Sequence, residues 1–171
     1  MAELKKKTTT ALKSLTITKG EALDLYAAFG SFDGREVKNG DGTIVEPFVL
    51  GDGCRWNIAL NRVTLKPIAE AVTEARNQVL KQIIPKGETA LPNFIKDKDG
   101  NKIQNPKAVE FEERYKKLLD EKVTVKLYFF KRDSWNADKN KFGPNFLTTL
   151  MLVTEKEKED EVVDQDTDKQ G

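Results

Sequence analysis

The sequence predicts an α+β fold, in which a helical hairpin packs on a small, mostly antiparallel sheet. An apolar stripe at heptad spacing runs from Ile58 to Val79, and this period is typical of a helix with one buried face. A second helix start follows at Asn105-Pro106, a favoured pair for the cap and first turn. Residues 123–130 alternate apolar and polar side chains, as a half-buried strand does.

Length and charge predict a single domain with two unstructured ends. A chain of 171 residues and 19.3 kDa can bury one core without disulfides. We expect a mobile basic arm at 1–14, the domain at 15–154 and a disordered acidic tail at 155–171. The tail holds three basic and eight acidic residues, a charge of 3 − 8 = −5, so the rest of the chain carries +1 − (−5) = +6. Such segregated charge influences the choice of partner.

The first elements are predicted from local signals. Leu15-Thr16-Ile17 alternates like a short strand, and Thr18 with Glu21 forms a capping box for a helix over 22–29 that ends at Gly30. Turn dipeptides rich in glycine fill 33–53 and predict a hairpin between short strands at 35–38 and 43–46.

The heptad stripe predicts two consecutive helices. Apolar residues lie seven apart, and Pro67 interrupts the pattern, which favours helices at about 55–63 and 65–83, the second capped by Thr64. A single kinked helix is the alternative. Asn61 is predicted to turn outward at the break, or else to fix the register between helices. The stripe is expected to form core under 106–121 and comprises Ile58, Leu65, Ile68, Val72, Ala75 and Val79.

The second half of the chain predicts a loop, a helix, a strand and one undecided element. Residues 86–105 are predicted to be a loop with a small excursion around 97–102. Asn105 then caps a helix whose apolar residues repeat at four-and-three spacing, namely Ala108, Phe111, Tyr115 and Leu118. The strand that follows places four side chains on one face: Val123, Val125, Leu127 and Phe129. Residues 146–153 fit either a buried strand or a helix capped by Asn145.

The residue types that chemistry needs are scarce. The chain has no histidine and one cysteine, Cys54, which excludes a disulfide within the chain and a cysteine-rich zinc site. We interpret Cys54 as a buried or half-buried structural thiol. Residues 97–101 are similar to part of a calcium loop, but Lys102 and Ala108 stand where that loop needs glycine and glutamate. We therefore predict no catalytic residue, no cofactor and no metal site.

Two sets of residues are candidates for binding. The first set interleaves cations with aromatic rings, as a nucleic-acid surface does. It consists of Lys126, Tyr128, Phe130, Lys131, Arg132 and Trp135. Alternatively, Tyr128 and Phe130 could cover the second face of the sheet against a helix. The second could line a pocket for a partner or a small anionic ligand; it is Arg55, Arg62 and Lys66.

The start of the chain and its hydropathy predict a cytoplasmic protein. Residues 1–7 lack the apolar segment that a signal peptide needs, and no apolar stretch is long enough for a membrane span. We expect a protein that is not secreted, has no membrane partner and is found in the cytoplasm of a host cell or in a virion.

The block from Trp56 to Ala71, the helix with Phe111-Glu112-Glu113 and the strand from Val123 to Tyr128 resemble small tailed-bacteriophage proteins of uncharacterised function, over about residues 15–130. Those proteins open with a threonine-capped helix and carry an Ala-x-Asn-x-x-x-Leu-Lys-Pro-like element. The chain departs from them in the glycine-rich insert at 33–53 and after Arg132. The resemblance implies a viral origin and a non-enzymatic role, with no functional residues to transfer.

These observations lead to two functional hypotheses. The first is a non-enzymatic phage protein that acts by protein–protein contact or self-association, as a minor virion or assembly component or as an inhibitor of a host system. The alternative is a single-stranded nucleic-acid-binding accessory protein whose acidic tail regulates access.

Overall fold

A computed structural model describes residues 12–40, 42–84, 87–88 and 90–156. Within these ranges the predicted α+β class is confirmed, and the strands form three separate two-stranded antiparallel ladders. Of the predicted basic arm only residues 12–14 are described, and they belong to a strand. Of the predicted acidic tail only Glu155 and Lys156 are described; the remainder of both segments lies outside the described residues.

The first and sixth strands pair although they are far apart in sequence. β1 (Leu12–Thr18) runs antiparallel to β6 (Lys122–Tyr128), with Leu12 opposite Tyr128 and Thr18 opposite Lys122. β1 begins three residues before the predicted strand because β6 supplies partners for its backbone. The first three side chains of β1 are exposed, so their pattern carries no signal of a strand.

Helix α1 (Lys19–Gly30) has the predicted capping box. The Thr18 Oγ1 accepts a hydrogen bond from the Glu21 amide at 3.1 Å, and the Thr18 amide donates to Glu21 Oε2 at 2.8 Å. These bonds satisfy two backbone donors that a helix start leaves free. A short 3₁₀ turn, Ser31–Asp33, continues the chain into the predicted hairpin of β2 (Arg35–Asn39) and β3 (Gly42–Glu46).

Helix α2 (Cys54–Ile83) is one continuous helix that contains Pro67, so the predicted break at 64 is wrong and the single-helix alternative is correct. Proline removes the hydrogen bond to the Val63 carbonyl. Because Val63 and Pro67 are both exposed, water can solvate that carbonyl, while the buried Leu65 and Ala69 hold the other side of the helix. The Thr64 hydroxyl donates to the Leu60 carbonyl instead of capping a helix.

Replacing Pro67 with alanine is expected to raise the free energy of unfolding by about 1–2 kcal/mol, since the restored bond to Val63 outweighs the loss of proline's restriction of the unfolded chain. Chemical denaturation measures the change. Lys66→Ala, on the neighbouring exposed position, serves as the control and is expected to shift stability by less than about 0.5 kcal/mol. A less stable Pro67→Ala protein would contradict this account of the helix.

Asn61 is buried, with 1% of its surface exposed, so the prediction that it turns outward is wrong. Its Oδ1 accepts from the Tyr128 amide at 2.7 Å and its Nδ2 donates to the Tyr128 carbonyl at 2.9 Å. The side chain therefore joins the middle of α2 to the last residue of β6. It fixes a helix against a strand and not a helix against a helix.

The predicted excursion in the loop is a hairpin of β4 (Phe94–Lys96) and β5 (Lys102–Gln104). Helix α3 (Pro106–Asp120) follows, with the Asn105 side chain accepting from the Lys107 amide at 3.1 Å, as predicted. The helix pair is also confirmed: the Arg76 guanidinium of α2 lies 5.5 Å from the centre of the Phe111 ring of α3.

Residues 146–153, left open between strand and helix, are mostly helical. After a 3₁₀ turn (Arg132–Trp135) and the short helix α4 (Ala137–Asn140), α5 spans Pro144–Met151. Gly143, not Asn145, is its N-cap, and Pro144 lies at its first position. Phe146, Leu150 and Val153 pack in or against the core at helical spacing.

The core lies where α1, the first half of α2, β6 and the C-terminal segments meet. It contains eight aliphatic or small side chains from α1, α2 and the β1–β6 ladder, together with Phe29, Phe32, Phe130, Trp135, Leu150 and Val153. The stripe predicted from Ile58 to Val79 is intramolecular over most of its length: Ile58, Leu65 and Val72 are buried and Ile68, Ala75 and Val79 are half-buried.

Candidate functional site

A groove of about 450 Å³ lies between α1 and the N-terminal half of α2. Its inner wall is apolar and aromatic and consists of Tyr26, Phe29, Phe32 and Ile58. The α2 side contributes cations between small apolar residues, namely Arg55, Ala59, Arg62, Val63 and Lys66. We call this cavity the α1–α2 groove. The structure thus brings together the three cations predicted from the sequence as one candidate site.

The three cations differ in how strongly other groups hold them. The Arg55 Nη2 donates to the Phe48 carbonyl at 2.8 Å, and the Lys66 Nζ lies 3.7 Å from the Glu70 carboxylate. The Arg62 guanidinium lies over the Tyr26 ring, 5.4 Å from its centre. Among the described residues Arg62 has no ion-pair partner, so its charge is available to an anion in the groove.

Gly30 makes room for the Arg62 guanidinium. A Cβ atom at position 30 would lie 3.1 Å from the Arg62 Nη2, which is closer than most side-chain contacts. Gly30 therefore ends α1 and also leaves space beside it. Because glycine has no side chain, the Arg62 guanidinium can lie against α1 beside Tyr26.

Two large apolar residues on α2 are unusually exposed. Trp56 and Val63 each have 70% of their surface exposed, and they lie seven residues apart on one stripe of the helix. The cations occupy the adjacent stripe. Together they form what we call the α2 contact surface, six exposed residues: Arg55, Trp56, Ala59, Arg62, Val63 and Lys66.

A second groove continues along the C-terminal half of α2 and has the opposite charge. It occupies about 710 Å³, and its lining includes Asp24, Glu70 and Glu74 against Lys81. None of the described residues that line the α1–α2 groove is acidic. The charge of the groove lining therefore changes from basic beside the first half of α2 to acidic beside its second half.

The structure does not present the predicted nucleic-acid set as one surface. Phe130 and Trp135 are each 1% exposed, so the interpretation of their rings as stacking platforms is wrong. They fill the core, with ring centres 4.4 Å apart and Phe130 at 6.5 Å from Phe29. Lys126, Lys131 and Arg132 are exposed and Tyr128 is half-buried. Phe130 lies two residues beyond the end of β6, so the alternative interpretation, in which it covers the second face of the sheet, does not describe it either.

Cys54 is buried at the start of α2, as predicted. Burial raises the pKa of its thiol, with smaller opposing contributions from hydrogen bonds to Ser134 and Gly51. The protonated form is therefore favoured, and a thiol in this state is a weak nucleophile. Its position in the core supports a packing role.

The segment similar to a calcium loop is the turn between β4 and β5. The Asp97 carboxylate accepts from the amides of Asp99 at 2.9 Å and Asn101 at 2.7 Å. The bond from the Asn101 backbone is the main reason why the pKa of Asp97 is lowered. The Asp97 carboxylate therefore stabilises the turn through these hydrogen bonds. The described residues contain no group of three or more potential metal ligands.

None of the helices in the described ranges is long and apolar enough to cross a membrane. No family model, curated protein or solved structure matches the chain.

Sequence reasoning found the cations of the groove but missed its aromatic wall. Tyr26, Phe29 and Phe32 belong to α1 and the following turn, more than twenty residues from Arg55. The spacing of Tyr26 and Phe29 on one helical face was visible in the sequence. Nothing in it indicated that this face meets α2.

Proposed function

We propose that this chain is a non-enzymatic protein that acts by contact with another protein, and that the α2 contact surface makes this contact. The observation that carries the proposal is the pair of exposed side chains Trp56 and Val63 on one stripe of α2, each 70% exposed. Large apolar residues of this kind, grouped on one face, mark interaction sites when polar residues surround them.

The composition of the surface supports a protein partner. Tryptophan and arginine are the residues most enriched among those that dominate binding energy in interfaces. Here Trp56 lies beside Arg55 and one helical stripe away from Arg62. The three cations favour a partner surface that carries carboxylates, because complementary charge speeds association and sets orientation.

The resemblance to small tailed-bacteriophage proteins supports the biological setting. It favours a minor virion or assembly component, or an inhibitor of a host system, as the context in which the contact is made. The genes that flank this one distinguish these settings: capsid and tail genes favour assembly, and genes for host inhibitors favour the other role.

Site-specific photo-crosslinking tests the contact. With p-benzoylphenylalanine in place of Trp56, the full chain expressed in the cells that naturally make it is expected to give one discrete cross-linked protein, or a cross-linked dimer if the partner is a second copy. Arg62→Glu in the same chain is expected to abolish the adduct by reversing the charge beside the probe.

The matched control carries the probe at Ile44, an apolar residue of β3 that is also exposed. It is expected to give no adduct of the same mass. Equal adducts from positions 44 and 56, or no adduct from position 56 in a folded protein, would contradict the proposal.

A further inference from the structure

We propose that the α1–α2 groove is a binding site for an acidic peptide, and that the chain itself supplies one occupant, its C-terminal segment 157–171. The inference rests on the proposed function, because it concerns the surface through which a partner is expected to bind. It adds the chemistry of the ligand and a means of regulation.

Charge complementarity is the first argument. Residues 157–171 contain two basic and seven acidic residues, a charge of 2 − 7 = −5. The groove presents Arg55, Arg62 and Lys66, and no acidic residue is among the described side chains of its lining. Arg62 has no ion-pair partner within the described part of the chain, so a peptide carboxylate could pair with it without displacing another anion.

The pattern of the segment matches the groove in polarity as well as charge. Val162-Val163 is flanked by Glu161 and Asp164, which places apolar side chains between carboxylates. The groove likewise places accessible apolar side chains, the half-buried Tyr26 and the exposed Ala59 and Val63, beside cations. A peptide with this pattern can bury its valines and keep its carboxylates near the rim.

The length of the groove favours a peptide over a compact anion. Arg55 and Lys66 are eleven residues apart on α2, so their backbones are separated by about 16 Å at a helical rise of 1.5 Å per residue. An extended peptide covers that distance with about five residues. Residues 160–164 would span it, with carboxylates at both ends.

The segment can reach the groove from where the described chain ends. The Glu155 amide donates to the Phe130 carbonyl at 2.8 Å, and the Phe130 ring lies 6.5 Å from the ring of Phe29 in the groove wall. Residues 160–164 follow Glu155 by five to nine residues, which can extend about 17 to 31 Å, and we infer that this length brings them to the groove.

Two other surfaces fit the segment less well. The second groove along α2 contains Asp24, Glu70 and Glu74, which would repel its carboxylates. Beside the exposed cations Lys126 and Lys131, the rings of Phe130 and Trp135 are buried in the core, which leaves only the half-buried Tyr128 and Phe129 to cover the two valines. A partner that binds the α2 contact surface would have to displace the segment, which would lower the apparent affinity of the full chain.

Paramagnetic relaxation measurements on the full chain test the proposal. A nitroxide label on Gln165→Cys leaves every charge of the segment unchanged, and the buried Cys54 thiol is expected to stay unlabelled. At low salt we expect loss of the amide signals of Ala59 and Val63, with the signal of Lys126 retained. A mixture of labelled chain with isotope-enriched, unlabelled chain separates contact within one molecule from contact between copies.

Two charge variants decide between surfaces. Arg62→Gln with Lys66→Gln is expected to restore the lost signals, whereas the matched pair Lys126→Gln with Lys131→Gln is expected to leave them lost. High salt is expected to restore them, because screening weakens exposed charge contacts. Both pairs of residues are exposed, so neither variant should prevent folding.

The proposal is overturned if the Ala59 and Val63 signals persist beside the label, or if the lysine pair at 126 and 131 restores them and the pair at 62 and 66 does not. If the Ala59 and Val63 signals persist while the cross-link from position 56 still forms, the peptide site is refuted and the proposed function is retained. The loss of the cross-link with the paramagnetic effect intact would instead refute the protein contact and retain the peptide site.

Discussion

Replacing Asn61 with alanine is expected to lower the free energy of unfolding by about 3 kcal/mol, because the change leaves a partly buried backbone amide and carbonyl without partners and empties a buried side-chain site. Both groups belong to Tyr128, and the Asn61 side chain bonds them at 2.7 and 2.9 Å. Each unsatisfied buried group costs about 1–3 kcal/mol. The truncated side chain also leaves a void between α2 and β6.

Denaturant unfolding followed by circular dichroism measures this effect. Asn77→Ala is the matched control, since Asn77 lies on the same helix but is exposed; it is expected to change stability by less than about 0.5 kcal/mol. Asn61→Ala and Asn77→Ala proteins of equal stability would refute the role assigned to the buried amide.

Replacing Trp135 with alanine is expected to destabilise the fold by about 3–5 kcal/mol, the range for removing a buried aromatic side chain. The Trp135 ring stacks on Phe32 with 5.8 Å between centres and contacts Phe130 at 4.4 Å. Its Nε1 donates to the buried Thr154 Oγ1 at 2.8 Å. The residue thus joins the turn after β6 to the end of the described chain.

The chain contains its own control for this prediction. Trp56 is 70% exposed, so Trp56→Ala is expected to change the free energy of unfolding by less than about 0.5 kcal/mol. Trp135→Phe keeps an aromatic ring but loses the bond to Thr154, and an intermediate loss of about 1–2 kcal/mol is expected. Similar losses for the two alanine variants would contradict the assignment of one tryptophan to the core and the other to a contact surface.

This contrast between the two tryptophans separates stability from function. Trp56→Ala should leave a folded protein, so any effect on partner binding can be attributed to the α2 contact surface. Trp135→Ala would impair binding only through loss of the fold. Trp135, which the sequence places among the candidates for nucleic-acid stacking, is therefore a structural residue, and Trp56 is the candidate for recognition.

Elements specified by neighbouring residues were predictable. The capping box of Thr18 and Glu21, the Asn105 cap with Pro106 and the alternation in β6 each depend on bonds or faces within a few residues. The groove cations were also predictable as a set, because Arg55, Arg62 and Lys66 share one side of α2. Such features need no knowledge of distant segments.

Pro67, Asn61 and the C-terminal helix were not predictable in the same way. Proline is a strong local signal against a helix, yet packing of Leu65 and Ala69 on either side of it overrides that signal. In the sequence, Asn61 is a polar residue that interrupts an apolar stripe. Its hydrogen-bonding partners belong to Tyr128, which is 67 residues away. Residues 146–153 are apolar on all sides, so periodicity alone could not separate strand from helix.

The sequence by itself determined the α+β class, the caps of α1 and α3 and the scarcity of residues suited to catalysis, since these follow from composition and local hydrogen bonding. Only the tertiary structure decided that α2 is unbroken, that Trp135 is core and Trp56 is surface, and that the aromatic face of α1 meets the cations of α2. Those outcomes depend on which apolar surfaces are buried against each other. Because these surfaces belong to segments far apart in the chain, a local sequence pattern does not predict which of them pair.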